Sequence, residues 1–70
     1  MNIHINGEPL SLSNEEQSVA AALGIYLTAQ QALLSFAVAL NGEFVSKDDY
    51  ATTVLSSGDS LDVLFPIQGG

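Results

Sequence analysis

Proton transfer, nucleophilic attack and metal binding each need particular side chains, and this chain of 70 residues supplies few of them. His4 is the single histidine, Lys47 the single cation, and there is no cysteine. The other ionisable groups are eight acids, Glu8, Glu15, Glu16, Glu43, Asp48, Asp49, Asp59 and Asp62. A histidine acting as general base needs a proton within reach and a group to orient its ring. His4 has no second histidine to pair with and falls on the polar side of an alternating stretch, so it reads as an exposed side chain. Glu15 with Glu16 and Asp48 with Asp49 are neighbours in sequence, which does not aim two carboxylates into one site. A helix start attracts negative charge, and that explains Glu15 and Glu16 better than catalysis does. Asp59 follows Gly58 in a turn, where an acid side chain commonly bonds the local backbone. The missing cysteine excludes disulfides, thiolate nucleophiles, iron–sulfur clusters and sulfur-ligated zinc. Gly7, Gly42 and Gly58 are isolated, and none lies in a strand-turn-helix loop of the kind that cradles phosphate. These residues predict neither a catalytic constellation nor a metal site.

The C-terminus holds one further reactive group. Gly69 and Gly70 lack β-carbons and can enter a channel too narrow for other residues, although a diglycine end is also what a frayed terminus looks like. They follow Pro66, Ile67 and Gln68, so the tail 67–70 projects from the last strand of a domain spanning 1–66. The group on offer is the Gly70 α-carboxylate. An ionised carboxylate resists nucleophilic attack, and conversion to an acyl-adenylate gives it a leaving group. A chain with one lysine and no arginine cannot clamp ATP and magnesium, so the activating enzyme must be a separate protein.

These groups depend on elements legible in the pattern of apolar residues. Hydrophobic residues make up 47% of the chain, enough for one small core and too many for disorder. Ile3 and Ile5 alternate with Asn2, His4 and Asn6, which predicts a half-buried strand. Asn6 and Gly7 suit a two-residue hairpin turn, with Glu8 to Leu12 returning antiparallel. Ser13, Asn14, Glu15 and Glu16 spell a capping box and predict a helix starting there. Val19, Ala22, Leu23 and Tyr26 form its apolar stripe, and Gly24 suits its stop. Between Thr28 and Ser35 two readings stand, a second capping box from Thr28 to Gln31 or an approach to the next strand. Phe36 to Leu40 alternates, Asn41 and Gly42 make a second hairpin turn, and Glu43 to Val45 returns. Lys47 to Tyr50 reads as a turn or single helical turn, with Thr52 to Leu55 crossing the surface or an edge. After the turn at Ser57, Gly58 and Asp59, the residues Leu61, Val63 and Phe65 alternate with Asp62 and Leu64 in a closing strand, ended by Pro66. The order hairpin, helix, hairpin, strand predicts an α+β fold, a β-grasp with one main helix packed on one face of a mixed sheet. Alternation places Ala37, Ala39 and Leu64 on the opposite face, as a docking patch beside the tail or as a surface covered by the segment 28–34.

The formal net charge is -7, which repels nucleic acid and anionic membranes and suits a basic protein partner, or simply keeps the chain soluble. No basic, apolar leader and no run of membrane-spanning length is present, which predicts a cytoplasmic protein.

The chain resembles the thiamine-biosynthesis sulfur carriers, the ThiS-like branch of the ubiquitin-like β-grasp superfamily. The likeness rests on Ile5-Asn6-Gly7-Glu8, on the block from Phe36 to Val45, on Thr53-Val54-Leu55, on Gly58-Asp59, and on Pro66-Ile67-Gln68-Gly69-Gly70. The resemblance implies a carrier without catalytic activity and with no bound cofactor. A ThiF-like adenylyltransferase using ATP would join Gly70 to AMP, and sulfur derived from cysteine through a desulfurase would replace it as a thiocarboxylate. A ThiG-like thiazole synthase would then take the sulfur. Gly70 would carry the covalent chemistry and Gly69 give clearance, while Pro66, Ile67 and Gln68 would form the arm that partners grip. The small subunit of molybdopterin synthase shares this chemistry, and a plain β-grasp interaction module with an incidental diglycine is the reading from another class. The stretch between Gly24 and Phe36 is longer than the compact connection usual in the family, and Lys47 leaves no further cation for any family contact that needs one.

Overall fold

The computed structural model describes residues 1–66, and these form five strands, two helices and a single 3₁₀ turn. Strands β1 (Asn2–Ile5) and β2 (Glu8–Ser11) form the first hairpin, and β3 (Ala37–Leu40) and β4 (Glu43–Val45) form the second. Helices α1 (Val19–Tyr26) and α2 (Ala29–Ala32) lie between the hairpins, and the 3₁₀ turn (Lys47–Asp49) precedes β5 (Ser60–Leu64). Both hairpins turn on an asparagine and a glycine with positive φ, Asn6 (50°) with Gly7 (81°) and Asn41 (51°) with Gly42 (84°). That pair of left-handed residues is what a two-residue turn between twisted strands requires.

The sheet order is β2-β1-β5-β3-β4. The last strand therefore enters between the hairpins, parallel to β1 (Ile5 beside Leu61) and antiparallel to β3 (Val38 beside Val63). This is the mixed sheet and single main helix of the β-grasp. Ile3, Ile5, Val38, Leu61 and Val63 point to one face, where Val19, Ala22 and Leu23 of α1 cover them. Leu55 closes the core from an irregular segment and is 2% exposed. The sequence placed Thr52 to Leu55 across the surface or an edge; Val54 does bridge Ser18, but Leu55 is a core residue, and its N–H donates to the Gln17 carbonyl at 2.7 Å.

That same contact corrects the helix start. Gln17 is tied to Leu55, and Ser18 bridges Val54 in extended conformation, so neither can be helical. Helix α1 begins at Val19 with Ser18 as its N-cap, the Ser18 hydroxyl accepting from the Ala21 N–H at 3.0 Å. Ser13 instead makes a local turn, accepting the Glu16 N–H on its carbonyl at 3.2 Å and donating its hydroxyl to the Glu16 carboxylate at 3.4 Å. The first turn of α1 holds no acid, so Glu15 and Glu16 do not complement its dipole. Gly24 does not stop the helix either. The apolar stripe continues through Tyr26 and Leu27, both packed on the core, and Leu27 is the C-cap. Of the two readings for the next segment, the second capping box is the one formed. The Thr28 N–H donates to Gln31 Oε1 at 3.0 Å, and the Gln31 N–H to Thr28 Oγ1 at 3.1 Å.

Candidate functional site

Strand β5 occupies the centre of the sheet, so the chain leaves the domain from the middle of a framework and not from an edge. Leu64 is paired with Ala37, after which Phe65 and Pro66 turn out of the ladder. Phe65 packs edge-on against Phe36 with centroids 5.9 Å apart, and Phe36 stacks on Tyr50 at 6.3 Å with the rings 7° from parallel. This aromatic group fixes the root of the exit. Burial among these side chains raises the Tyr50 phenol above its ordinary value, because the phenolate would lose hydration. An open apolar depression of about 290 Å³ lies at the exit, lined by Ser35, Phe36, Ala37, Leu64, Phe65 and Pro66.

The face of the sheet opposite α1 is uncovered at this end. Leu64 is 60% exposed and Phe44 is 74% exposed, with half-buried Ala37 and Ala39 between them in register. The segment 28–34 does not cover this patch. Its Leu33 and Leu34 are themselves exposed and line a different concavity with Phe36, Lys47 and Tyr50.

A model of the ThiS family matches residues 3–70. The chain belongs to the ThiS family. The crystal structure of the thiamine biosynthesis protein ThiS from Geobacter metallireducens is 30% identical, with 100% of each chain covered and a TM-score of 0.75. The solution structure of a thiamine biosynthesis protein from the same organism is 30% identical over 100% of this chain and 88% of that one, at a TM-score of 0.70. No curated protein matches the chain. ThiS-family membership and the shared β-grasp fold support a sulfur-carrier role.

Within this ThiS-family frame the residues singled out from the sequence separate into three groups. Pro66 is exposed at the exit, while Ile67, Gln68, Gly69 and Gly70 lie outside the described residues. Ala37, Ala39 and Leu64 come together on the open sheet face. The remaining ionisable groups stay apart: His4 is exposed on β1, and among the described residues no three histidine, cysteine, aspartate or glutamate side chains gather as a metal site would need. Asp59 does what its turn predicts, accepting from the Ser56 N–H at 2.8 Å and from Asn41 Nδ2 at 3.1 Å. Phe44 was missed by sequence reasoning although the signal existed. Alternation through Glu43, Phe44 and Val45, with Val45 buried, puts Phe44 on the same side as Ala39.

Proposed function

We propose that this chain is a protein cosubstrate that carries sulfur on its C-terminal carboxylate for thiazole formation in thiamine synthesis. The carrying observation is the central position of β5. A ThiS-family chain whose last strand is locked between two hairpins delivers its C-terminal residues from a fixed point beside an open apolar face. Gly70 is the group activated. Its carboxylate oxygen attacks the α-phosphorus of ATP held by a ThiF-like adenylyltransferase, pyrophosphate leaves, and an acyl-adenylate forms. The terminal sulfur of a persulfide, derived from cysteine through a desulfurase, then attacks the acyl carbon and expels AMP. A thiol cleaves the S–S bond of the resulting acyl disulfide, leaving the Gly70 thiocarboxylate and a disulfide of the thiol with the former persulfide carrier.

Gly69 leaves the channel unobstructed and Pro66, Ile67 and Gln68 form the arm, while Ala37, Ala39, Leu64 and Phe44 supply the docking face. The net charge of -7 favours partners with basic rims around the channel, a setting that steers encounter. A ThiG-like thiazole synthase is the proposed acceptor, because the solved structures that resemble this chain are of thiamine biosynthesis proteins.

Intact-mass measurement after incubation with a ThiF-like enzyme, ATP, a persulfide source and a thiol reductant tests the proposal. The expected product is the mass of one oxygen-to-sulfur exchange in the full chain, and no exchange in a chain lacking Gly70. An unchanged mass, under conditions that convert an established carrier, overturns it.

A further inference from the structure

The parallel ladder between β1 and β5 ends early. Its last pair is Ile5 with Leu61, and the Asn6 N–H still donates to the Leu61 carbonyl at 2.9 Å. Had β1 run straight on, its main chain would have offered Val63 one carbonyl acceptor and, two residues later, one N–H donor. Instead the chain leaves the sheet at Asn6, whose φ of 50° starts the hairpin turn. The exit half of β5 would then be laddered on the β3 side alone.

We infer that the Asn6 carboxamide replaces the missing strand and acts as the positioning residue for the exit of β5. Its Oδ1 accepts from the Val63 N–H at 2.7 Å, and its Nδ2 donates to the Val63 carbonyl at 3.3 Å. One side chain thus supplies both halves of the lost peptide pairing, across a sequence separation of 57 residues. Nδ2 also lies 3.3 Å from the Tyr26 hydroxyl, which donates to Glu8 Oε2 at 3.3 Å, so the last residue of α1 and the start of β2 brace the same carboxamide. Val63 is three residues from Pro66, and fixing it on both sides narrows the directions in which the tail departs.

The second hairpin provides a matched reference. Asn41 has the same left-handed φ, its Oδ1 accepts from the Ser60 N–H at 2.9 Å, and its own N–H donates to the Ser60 carbonyl at 2.7 Å. It bonds β5 in a similar way at the entry, the end remote from the tail. The consequence for partner binding rests on the function proposed above, whereas the anchoring of β5 does not.

The test compares Asn6→Gly, Asn6→Asp and Asn41→Gly in the full chain. Glycine tolerates the turn and removes the carboxamide, and aspartate keeps the acceptor while losing the donor. Amide hydrogen exchange at Val63 should accelerate roughly five- to thirty-fold in Asn6→Gly, as the loss of two hydrogen bonds implies, and less in Asn6→Asp. Exchange at Leu12 and Leu55, in the core away from this exit, should stay unchanged and so exclude global destabilisation. With the adenylyltransferase, Asn6→Gly should raise the KM for the carrier at constant kcat, and Asn41→Gly should leave both unchanged. Unchanged Val63 exchange in Asn6→Gly, or equal KM increases in the two glycine variants, overturns the inference. Absence of adenylation in the unsubstituted chain would overturn the sulfur-carrier proposal instead, with the Val63 exchange still deciding whether Asn6 anchors the strand.

Discussion

Tyr50 shows how one residue ties the exit of the chain to pH. Its ring stacks on Phe36, Phe36 meets Phe65, and Phe65 is followed by Pro66. Desolvation raises the phenol pKa above the ordinary value of 10.0, so the folded state holds this proton more tightly than the unfolded chain does. The stability it contributes is fully present below the unfolded value and is lost as pH rises through the folded one. Tyr50→Phe should therefore flatten the alkaline limb of the stability curve and leave neutral pH nearly untouched. Urea unfolding across the alkaline range, together with the ultraviolet titration of phenolate, checks this. At this scale the sequence was readable where contacts are local: Asp59 in its turn and the two asparagine-glycine pairs follow from side-chain chemistry within a few residues. The bonds from Asn6 to Val63 join residues far apart in sequence, and nothing in either neighbourhood announces them.

Helix α1 shows where local rules yield to packing. Ser13 with Glu16 reads as a capping box in isolation, yet Ser18 is the cap that forms, because Gln17 and Ser18 pair with Leu55 and Val54 across the molecule. Gly24, readable as a C-terminal stop, lies inside the helix without positive φ, and a β-carbon there would meet nothing within 4 Å. Gly24→Ala should accordingly stabilise the protein by about 0.5–1 kcal/mol through reduced backbone entropy of the unfolded chain and better helix propensity. Chemical denaturation at constant m-value measures it. A destabilised Gly24→Ala would mean that the helix bends there on folding. Helix α2 is the opposite case. Its Thr28 and Gln31 capping box is complete within four residues and formed as the local sequence allows, with no buried residue to override it.

For the whole molecule, charge and shape act together. The chain carries a net charge of -7 and an uncovered apolar patch of Phe44 and Leu64 with Ala37 and Ala39 between them. Exposed apolar area of this kind costs little stability to alter, so Leu64→Asp and Phe44→Asp should change unfolding free energy by no more than about 0.5 kcal/mol. Binding to the adenylyltransferase should weaken roughly tenfold or more for each, the size expected of a contact worth above about 1 kcal/mol at an interface centre. Titration calorimetry gives both Kd values, and thermal unfolding confirms that the fold is retained. Raising salt should slow association with the unsubstituted chain, since steering by net charge is screened. An association rate insensitive to salt would assign the acidity to solubility alone.

By itself the sequence determined the elements and their faces, because alternation, turn dipeptides and the apolar stripe are properties of neighbours in the chain. Ile3 and Ile5 inward, Ala37 and Leu64 outward, and the hairpins at Asn6 and Asn41 all followed from it. The chemical poverty of the side chains was equally plain, and it is why the proposal turns to the Gly70 carboxylate. Tertiary structure decided what depends on distant partners: the start of α1, the burial of Leu55, and the second hold on β5 from Asn6. Each of these turns on whether a backbone or side-chain group finds its hydrogen bond or its apolar neighbour across the fold, which local pattern cannot encode.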